Sequence, residues 1–180
     1  MQEEQSLVHQ AQKCNQEAFA KLYEQNFDKI YRYISLKVGN NTEAEDMTQQ
    51  VFIKALQSIS SYKWKDVPFS AWLFRIAHNH VIDYYRKQSR QSTAPLYDYM
   101  AIDNCSTEKA IEDKEDIEKL LIASKKLTPA QQEVISLRFA GELPIAEVAR
   151  IMGKTQGAVK ALQHSAIVAL RKLMMVEKNV

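Results

Sequence analysis

The sequence predicts an all-α protein, with two small helical domains joined by a flexible acidic linker. Three observations support this fold class. Only 4 Gly and 4 Pro occur among the 180 residues, which is too few for a fold rich in β-turns. Apolar residues recur at spacings of three and four, as they do on one face of an α-helix. Charged residues are also distributed unevenly along the chain.

The charge distribution predicts the domain boundaries. Residues 1–92 carry 12 basic and 10 acidic side chains, residues 93–118 carry 2 and 8, and residues 119–180 carry 10 and 4. The corresponding net charges are +2, −6 and +6, which give the +2 of the whole chain. The acidic stretch also contains Ser, Thr and Pro, as linkers often do. We therefore expect a first domain over 1–92, a linker over 93–118 and a second domain over 119–180.

Two helices are predicted to open the first domain. Residues 17–38 share one apolar stripe, and Gly39 is expected to end this helix because glycine readily adopts the left-handed conformation. Thr42 and Glu45 match a capping box, which predicts that the next helix starts there. That helix is expected to bury six residues: Ala44, Met47, Val51, Phe52, Ala55 and Leu56. Its other face should expose five: Asp46, Gln49, Gln50, Ile53 and Lys54.

A segment rich in aromatic residues follows over residues 60–72. Tyr62 and Trp64 alternate there with Lys63 and Lys65. Rings beside cations are suited to stacking on unpaired bases next to phosphates, so this segment is a candidate for binding single-stranded nucleic acid. The alternative is that the rings cover the core, and we favour it for Phe69 and Trp72.

A third helix is predicted over residues 69–87, where apolar residues again form a stripe. The rest of its surface carries cationic and amide groups, which are compatible with a DNA-contacting face but are also common on solvated helices. These polar residues are Arg75, His78, Asn79, Asp83, Arg86 and Lys87.

The second domain shows the pattern of a helix-turn-helix. Thr128 and Gln131 match a capping box with Pro129 at the first helical position, and this helix should end at Gly141. A short helix over 145–152 and a longer one from 156 to about 174 follow.

The spacing of small and branched residues supports this motif. Ala149 allows a close helix crossing, Gly153 supplies the positive φ of the turn, and Val159 and Leu162 fill the space between the helices. A simple helical hairpin remains the alternative. In a DNA-binding motif the second helix enters the major groove. The DNA contacts predicted for the whole motif are Arg150, Lys154, Thr155, Gln156, Lys160, Ala161, Gln163, His164, Arg171 and Lys172.

The sequence argues against several other classes of protein. No apolar run is long enough to span a membrane, and the N-terminus lacks the features of a secretory signal. Cys14 and Cys105 are far apart, so neither a disulfide framework nor a structural zinc site is expected, and a cytoplasmic location fits best. His78 and His80 point about 200° apart on a helix and cannot bind one metal together. We predict a non-enzymatic protein without a cofactor.

Three segments together resemble the bacterial RNA polymerase sigma factors of the extracytoplasmic-function type, which belong to the sigma-70 superfamily. EAEDMTQQVFIKAL resembles region 2.2, and FSAWLFRIAHNHVIDYYRKQSR resembles regions 2.3 and 2.4. LTPAQQEVISLRFAGELPIAEVARIMGKTQGAVKALQH resembles region 4. The resemblance implies transcription initiation at specific promoters, with core RNA polymerase and promoter DNA as partners and an anti-sigma factor as a further candidate.

The resemblance also implies residue roles. The polymerase clamp helices would contact Asp46, Gln49, Gln50, Phe52 and Lys54, with Phe52 equally a core residue. The minus-ten element would be recognised and melted by Tyr62, Lys63, Trp64, Lys65, Phe69, Arg75, Asn79, Asp83, Arg86 and Lys87. The helix-turn-helix would read the minus-thirty-five element, and its apolar groove would meet the polymerase flap tip. Two positions depart from the family's pattern, since Ser165 replaces a common Arg and Pro144 replaces a common Ser.

Two expectations about mechanism follow. Capture of an extruded base at 62–69 would stabilise the melted promoter, because stacking on a ring recovers roughly 1–3 kcal/mol per base. The weakly charged first domain should bind free DNA feebly, so promoter binding should require polymerase. The rival function is a helix-turn-helix regulator whose first domain senses a ligand.

Overall fold

The computed structural model describes residues 2–63, 67–91, 120 and 122–177. All regular elements in this part of the chain are helical, which confirms the predicted fold class. They form two compact units. The first contains α1 (Gln2–Gln12), α2 (Gln16–Val38), α3 (Asn41–Ser58) with a 3-10 turn (Ile59–Ser61), and α4 (Phe69–Gln91). The second contains α5 (Pro129–Ile135) with a π-helical turn (Ser136–Ala140), α6 (Ile145–Met152) and α7 (Gln156–Glu177). Both predicted linker boundaries lie outside the described residues.

The ends of α2 are fixed by local hydrogen bonds. Asn15 caps its N-terminus, where the side chain accepts a 3.0 Å bond from the Ala18 amide. Gly39 ends the helix in the left-handed conformation, at φ 74, and its N–H donates to the Ser35 carbonyl oxygen. The predicted end of this helix at Gly39 is confirmed.

The start of α3 differs from the prediction. Asn40 caps the helix by accepting a 3.1 Å bond from the Glu43 amide, so Thr42 lies in the first turn and forms no capping box. Asparagine is at least as good an N-cap as threonine, and it directly follows the left-handed Gly39. The predicted burial of Leu56 is also wrong, because this residue is 53% exposed. The other five predicted core residues of the helix are buried.

No helix is predicted from the sequence for the residues that form α1. Leu7, Val8 and Ala11 of this helix are buried, and α1 contacts α2, the 3-10 turn and α4. The first unit is therefore a four-helix body whose core is centred on large apolar residues of α2 and α4. The fully buried examples are Leu22, Ile30, Tyr33, Ile34, Phe69, Leu73 and Phe74.

In the second unit the predicted capping box is present. Thr128 Oγ1 accepts from the Gln131 amide, and Gln131 Oε1 accepts from the Thr128 amide at 3.0 Å. The helix passes into a π-helical turn and ends at Gly141, as predicted, where the Gly141 N–H donates to the Ser136 carbonyl oxygen. Val134, Leu137, Val148 and Val159, all fully buried, form part of the core of this unit.

The turn between α6 and α7 has the predicted helix-turn-helix form. Gly153 lies at φ 62, and a Cβ placed there would meet nothing within 4 Å. Glycine is therefore required for the backbone angle and not for lack of space. The following Lys154 amide donates to the Ala149 carbonyl oxygen at 2.9 Å, and Thr155 Oγ1 accepts from the Ala158 amide at 3.2 Å to cap α7.

Candidate nucleic-acid and protein interfaces

One face of α3 combines exposed polar and apolar side chains. All four predicted polar contact residues are exposed: Asp46, Gln49, Gln50 and Lys54. The same helix exposes Ile53 (55%) and Leu56 (53%). Large aliphatic side chains with a polar rim are typical of a surface that binds another protein. We call these six residues the α3 surface.

The structure assigns Phe52 to the core. It is 4% exposed, and its ring centroid lies 4.5 Å from that of Tyr23 and 6.3 Å from that of Phe27. Of the two roles considered for Phe52, this burial supports the core role over a direct polymerase contact, because a ring enclosed by two others cannot reach a partner. Phe52 instead supports the α3 surface from beneath.

Two aromatic residues predicted to contact the minus-ten element are also core residues. Tyr62 is 6% exposed and Phe69 is fully buried. The Tyr62 hydroxyl donates a 2.5 Å bond to the Val67 carbonyl oxygen, and its ring lies 4.9 Å from Trp72 and 6.0 Å from Phe69, between centroids. Neither ring is available to stack on a base, so Tyr62 is corrected to a structural role, whereas the favoured core position of Phe69 is confirmed.

The rest of this segment divides into two groups. Lys63 is exposed and can approach a phosphate. Trp64 and Lys65 lie outside the described residues, so their contacts stay a prediction. The two aromatic residues of the predicted base-capturing set that the structure describes, Tyr62 and Phe69, both lie in the core.

One face of α4 is polar and exposed, as predicted, except at His78, which is half-buried. Four residues of this face, at positions 75, 79, 83 and 86, are separated by four, four and three positions and therefore lie along one side of the helix. The exposed residues are Arg75, Asn79, Asp83, Arg86 and Lys87. Arg86 and Asp83 lie 3.4 Å apart with both side chains well exposed, and such a pair contributes little to stability. The Arg86 and Asp83 side chains can therefore turn towards DNA with little loss of folding free energy.

The two histidines of α4 have separate environments. His78 Nδ1 lies 3.3 Å from the Tyr33 hydroxyl. Burial of His80 lowers its pKa, and the nearby Lys54 and Lys87 lower it further. His80 is half-buried, in line with its predicted position on the apolar stripe. Across the described residues, no three His, Cys, Asp or Glu side chains are grouped so that they could hold a metal ion.

The second unit exposes one polar face around the turn and along α7. Apart from Ala161, its members have side chains that can donate hydrogen bonds to base edges or phosphates, and none is acidic. The exposed predicted contacts are Arg150, Lys154, Thr155, Gln156, Lys160, Ala161, His164, Arg171 and Lys172. We call these residues the α7 surface.

Gln163 differs from the other predicted contacts. It is half-buried, and its Oε1 accepts a 3.1 Å bond from Arg138 Nε. Arg138 is held in turn by a bond to the Leu143 carbonyl oxygen. A bidentate pair with adenine needs both the amide oxygen and the amide nitrogen. Arg138 uses one of the two lone pairs of the amide oxygen and so fixes the orientation of the Gln163 amide, and the DNA contact of Gln163 stays a prediction.

The position where Ser165 departs from the family's pattern has a structural role. Ser165 Oγ accepts a 3.0 Å bond from Gln131 Nε2 and donates to the Leu162 carbonyl oxygen at 3.0 Å. The capping residue of α5 thus contacts α7 directly. At the position where many family members have an Arg, this chain therefore has a serine that joins α7 to α5 through a hydrogen bond.

Comparisons with known proteins cover both units. Residues 22–91 match the family model of sigma-70 region 2, and residues 125–172 match that of sigma-70 region 4. The chain is 37% identical to the sigma factor BldN of Streptomyces coelicolor, with 93% of this chain and 64% of BldN covered. It is 32% identical to the sigma factor SigW of Bacillus subtilis, with 92% of this chain and 93% of SigW covered. Both relatives are described as extracytoplasmic-function sigma factors of RNA polymerase.

One solved structure has the same fold. It is the sigma factor RpoE of Bartonella quintana in complex with the anti-sigma factor NepR, with a TM-score of 0.74 and 22% identity. The match covers 88% of this chain and 97% of that one. In the described part of this chain, no helix is sufficiently long and apolar to cross a membrane.

Proposed function

Because the chain belongs to the extracytoplasmic-function sigma factors of the sigma-70 superfamily, we propose that it directs core RNA polymerase to specific promoters. In this proposal the α3 surface binds the polymerase. The α4 face and the loop before it act on the minus-ten element, and the α7 surface reads the minus-thirty-five element. The observation that carries the proposal is the presence of both modules, in family order, within one chain.

The distribution of exposed groups supports a division of labour between the units. The α3 surface offers two exposed aliphatic residues, Ile53 and Leu56, as protein-binding surfaces do. The α7 surface offers donors and cations without an exposed carboxylate, as major-groove readers do. A helix-turn-helix regulator with a sensing domain would need the second surface but has no use for the first.

Co-elution with core polymerase separates these two functions. A sigma factor should form a stable complex with purified core enzyme and confer transcription on a template that core enzyme alone does not use. A regulator should do neither in the absence of another sigma factor. Charge reversal on the α3 surface should abolish co-elution, whereas failure of the unaltered chain to co-elute would refute the proposal.

We propose that promoter opening depends on Trp64. DNA stacking averages about 1.4 kcal/mol per step, and stacking of an extruded base on a ring recovers roughly 1–3 kcal/mol. Trp64→Ala should therefore leave polymerase binding intact and weaken transcription from duplex promoters more than from pre-melted ones. Equal loss on both templates would contradict this role. Tyr62→Ala should instead lower the stability of the fold.

Partners and location follow from this function. Promoter binding should need polymerase, because the first domain carries a net charge of only +2 and affinity for DNA rises steeply with the number of cationic contacts. A gel shift with the chain alone tests this point. The protein would work in the cytoplasm, without a catalytic reaction of its own. An anti-sigma factor that covers the α3 surface or the α7 surface would inhibit it, in keeping with the complex of the RpoE–NepR structure.

A further inference from the structure

The loop that enters the minus-ten segment is held by a residue of α1. Gln12 Nε2 donates to the Tyr62 carbonyl oxygen at 2.7 Å and to the Ile59 carbonyl oxygen at 3.0 Å. An amide nitrogen carries two N–H groups, so both are used on these two acceptors. Gln12 lies 47 and 50 residues before its partners, and it lies outside the residues that match the region 2 model.

The two acceptors mark the end of the helical structure that follows α3. Ile59 begins the 3-10 turn, and its carbonyl oxygen also accepts from the Tyr62 amide at 3.1 Å. Tyr62 is the first residue after that turn. Without a donor from α1, the Tyr62 carbonyl would lose a partner in a half-buried position, which is costly for a polar group.

The other end of the same loop is fixed through Tyr62 itself. Its hydroxyl donates to the Val67 carbonyl oxygen, and its ring packs on Phe69 and Trp72 at the start of α4. One residue therefore holds both ends of the segment, and Gln12 fixes the backbone of that residue. A shift of Tyr62 would move the entry and the exit of the loop together.

We propose that Gln12 is a positioning residue for promoter opening and that α1 is part of the promoter-melting apparatus. This inference rests on the proposed function, because it assumes that the loop between Tyr62 and Phe69 acts on the minus-ten element. Gln12 does not contact DNA in this account. It fixes the backbone of Tyr62, which in turn bonds to Val67, so its loss should affect opening more than polymerase binding.

The test uses the full chain with core polymerase and three variants. Gln12→Leu keeps the approximate size of the side chain and removes both donors, whereas Gln12→Lys keeps a donor. Gln10→Leu is the matched control, because Gln10 lies on the same helix and bonds only to the exposed Ser6 hydroxyl through its side chain. Open complexes are measured on a duplex promoter and on the same promoter with a pre-melted minus-ten segment, beside polymerase affinity and the thermal unfolding midpoint.

We expect Gln12→Leu to reduce open complexes on the duplex by at least roughly two- to tenfold, which is the effect of losing either one of its two hydrogen bonds. Most of the open complexes should be recovered on the pre-melted promoter, and polymerase affinity should stay the same. Gln12→Lys should form an amount of open complex between those of Gln12→Leu and wild type. Equal loss on both templates, or equal behaviour of Gln12→Leu and Gln10→Leu, would overturn the proposal. Failure of the wild-type chain to open any promoter would instead reject the proposed function.

Discussion

The Tyr84 hydroxyl donates a 2.6 Å hydrogen bond to Glu43 Oε2, which ties the C-terminal half of α4 to the first turn of α3. The adjacent Tyr85 hydroxyl donates to the Lys37 carbonyl oxygen at the end of α2. The helix proposed to contact the minus-ten element is therefore fastened to the helix proposed to bind polymerase.

The Tyr84–Glu43 bond should make stability depend on alkaline pH. Burial, followed by the hydrogen bond and the charge of Glu43, raises the pKa of Tyr84 from 10.0 to about 12. A raised pKa in the folded state means that the stabilisation is complete below pH 10 and is lost between pH 10 and about 12. Urea unfolding at a series of pH values should show a steeper decline for wild type than for Tyr84→Phe. Parallel declines would contradict this assignment.

Alanine substitution at the two glycines near the turn should change the free energy of unfolding in opposite directions. Gly153→Ala places a Cβ at φ 62 and should lower the free energy of unfolding by about 1–2 kcal/mol. Gly157→Ala adds a helix-favouring residue whose Cβ would meet only Thr155 Oγ1, at 4.0 Å. It should raise the free energy of unfolding by up to about 1 kcal/mol. Urea unfolding of both variants checks this, and a shift in the same direction for both would be inconsistent with the turn geometry.

Charge reversal on the α3 surface should weaken polymerase binding. Asp46 is exposed on that surface, two helical turns before the aliphatic residue Ile53. Asp46→Arg should reduce affinity for core polymerase by roughly tenfold or more, because like charges facing each other across an interface are costly. Glu17→Arg, the same change at an exposed site on α2, is the control. Fluorescence titration of each labelled variant with core enzyme should show weaker binding for Asp46→Arg than for Glu17→Arg. Equal affinities of the two variants would argue against polymerase binding by the α3 surface.

Removal of one cation from the α7 surface should weaken promoter binding selectively. Lys160 is exposed on α7, where it can reach guanine or a phosphate. Lys160→Ala should cost the polymerase complex about 1–3 kcal/mol of promoter affinity. A phosphate contact predicts a shallower salt dependence, and a base contact predicts relaxed sequence preference. The exposed Lys126 supplies the control, and an effect of Lys126→Ala as large as that of Lys160→Ala would contradict the predicted docking.

Local signals in the sequence were sufficient for most of the fold. Gly39, Thr128, Gly141 and Gly153 each mark a helix end through backbone or capping preferences that tertiary packing does not override. Thr42 shows the limit of such signals, because Asn40 offered an equally good cap two residues earlier and the helix used it.

Burial near the edge of a helix stripe was harder to predict. Leu56 belongs to the apolar stripe by spacing but is exposed, because no element in the described part of the chain covers it. Tyr62 lies in a polar loop yet is enclosed by rings from α4. Both outcomes depend on neighbours distant in sequence. The bonds of Gln12 across 47 and 50 residues have no local signature at all. The spacing of Leu7, Val8 and Ala11 was the one signal that could have indicated α1.

Mapping of transcription start sites most directly tests whether this chain gives RNA polymerase its promoter preference. Purified core enzyme is incubated with and without the chain on fragmented genomic DNA, and the starts are sequenced. The account predicts a set of chain-dependent starts, each preceded by two shared elements at a constant separation, with Lys160→Ala affecting the upstream element. Starts that are identical with and without the chain would contradict it.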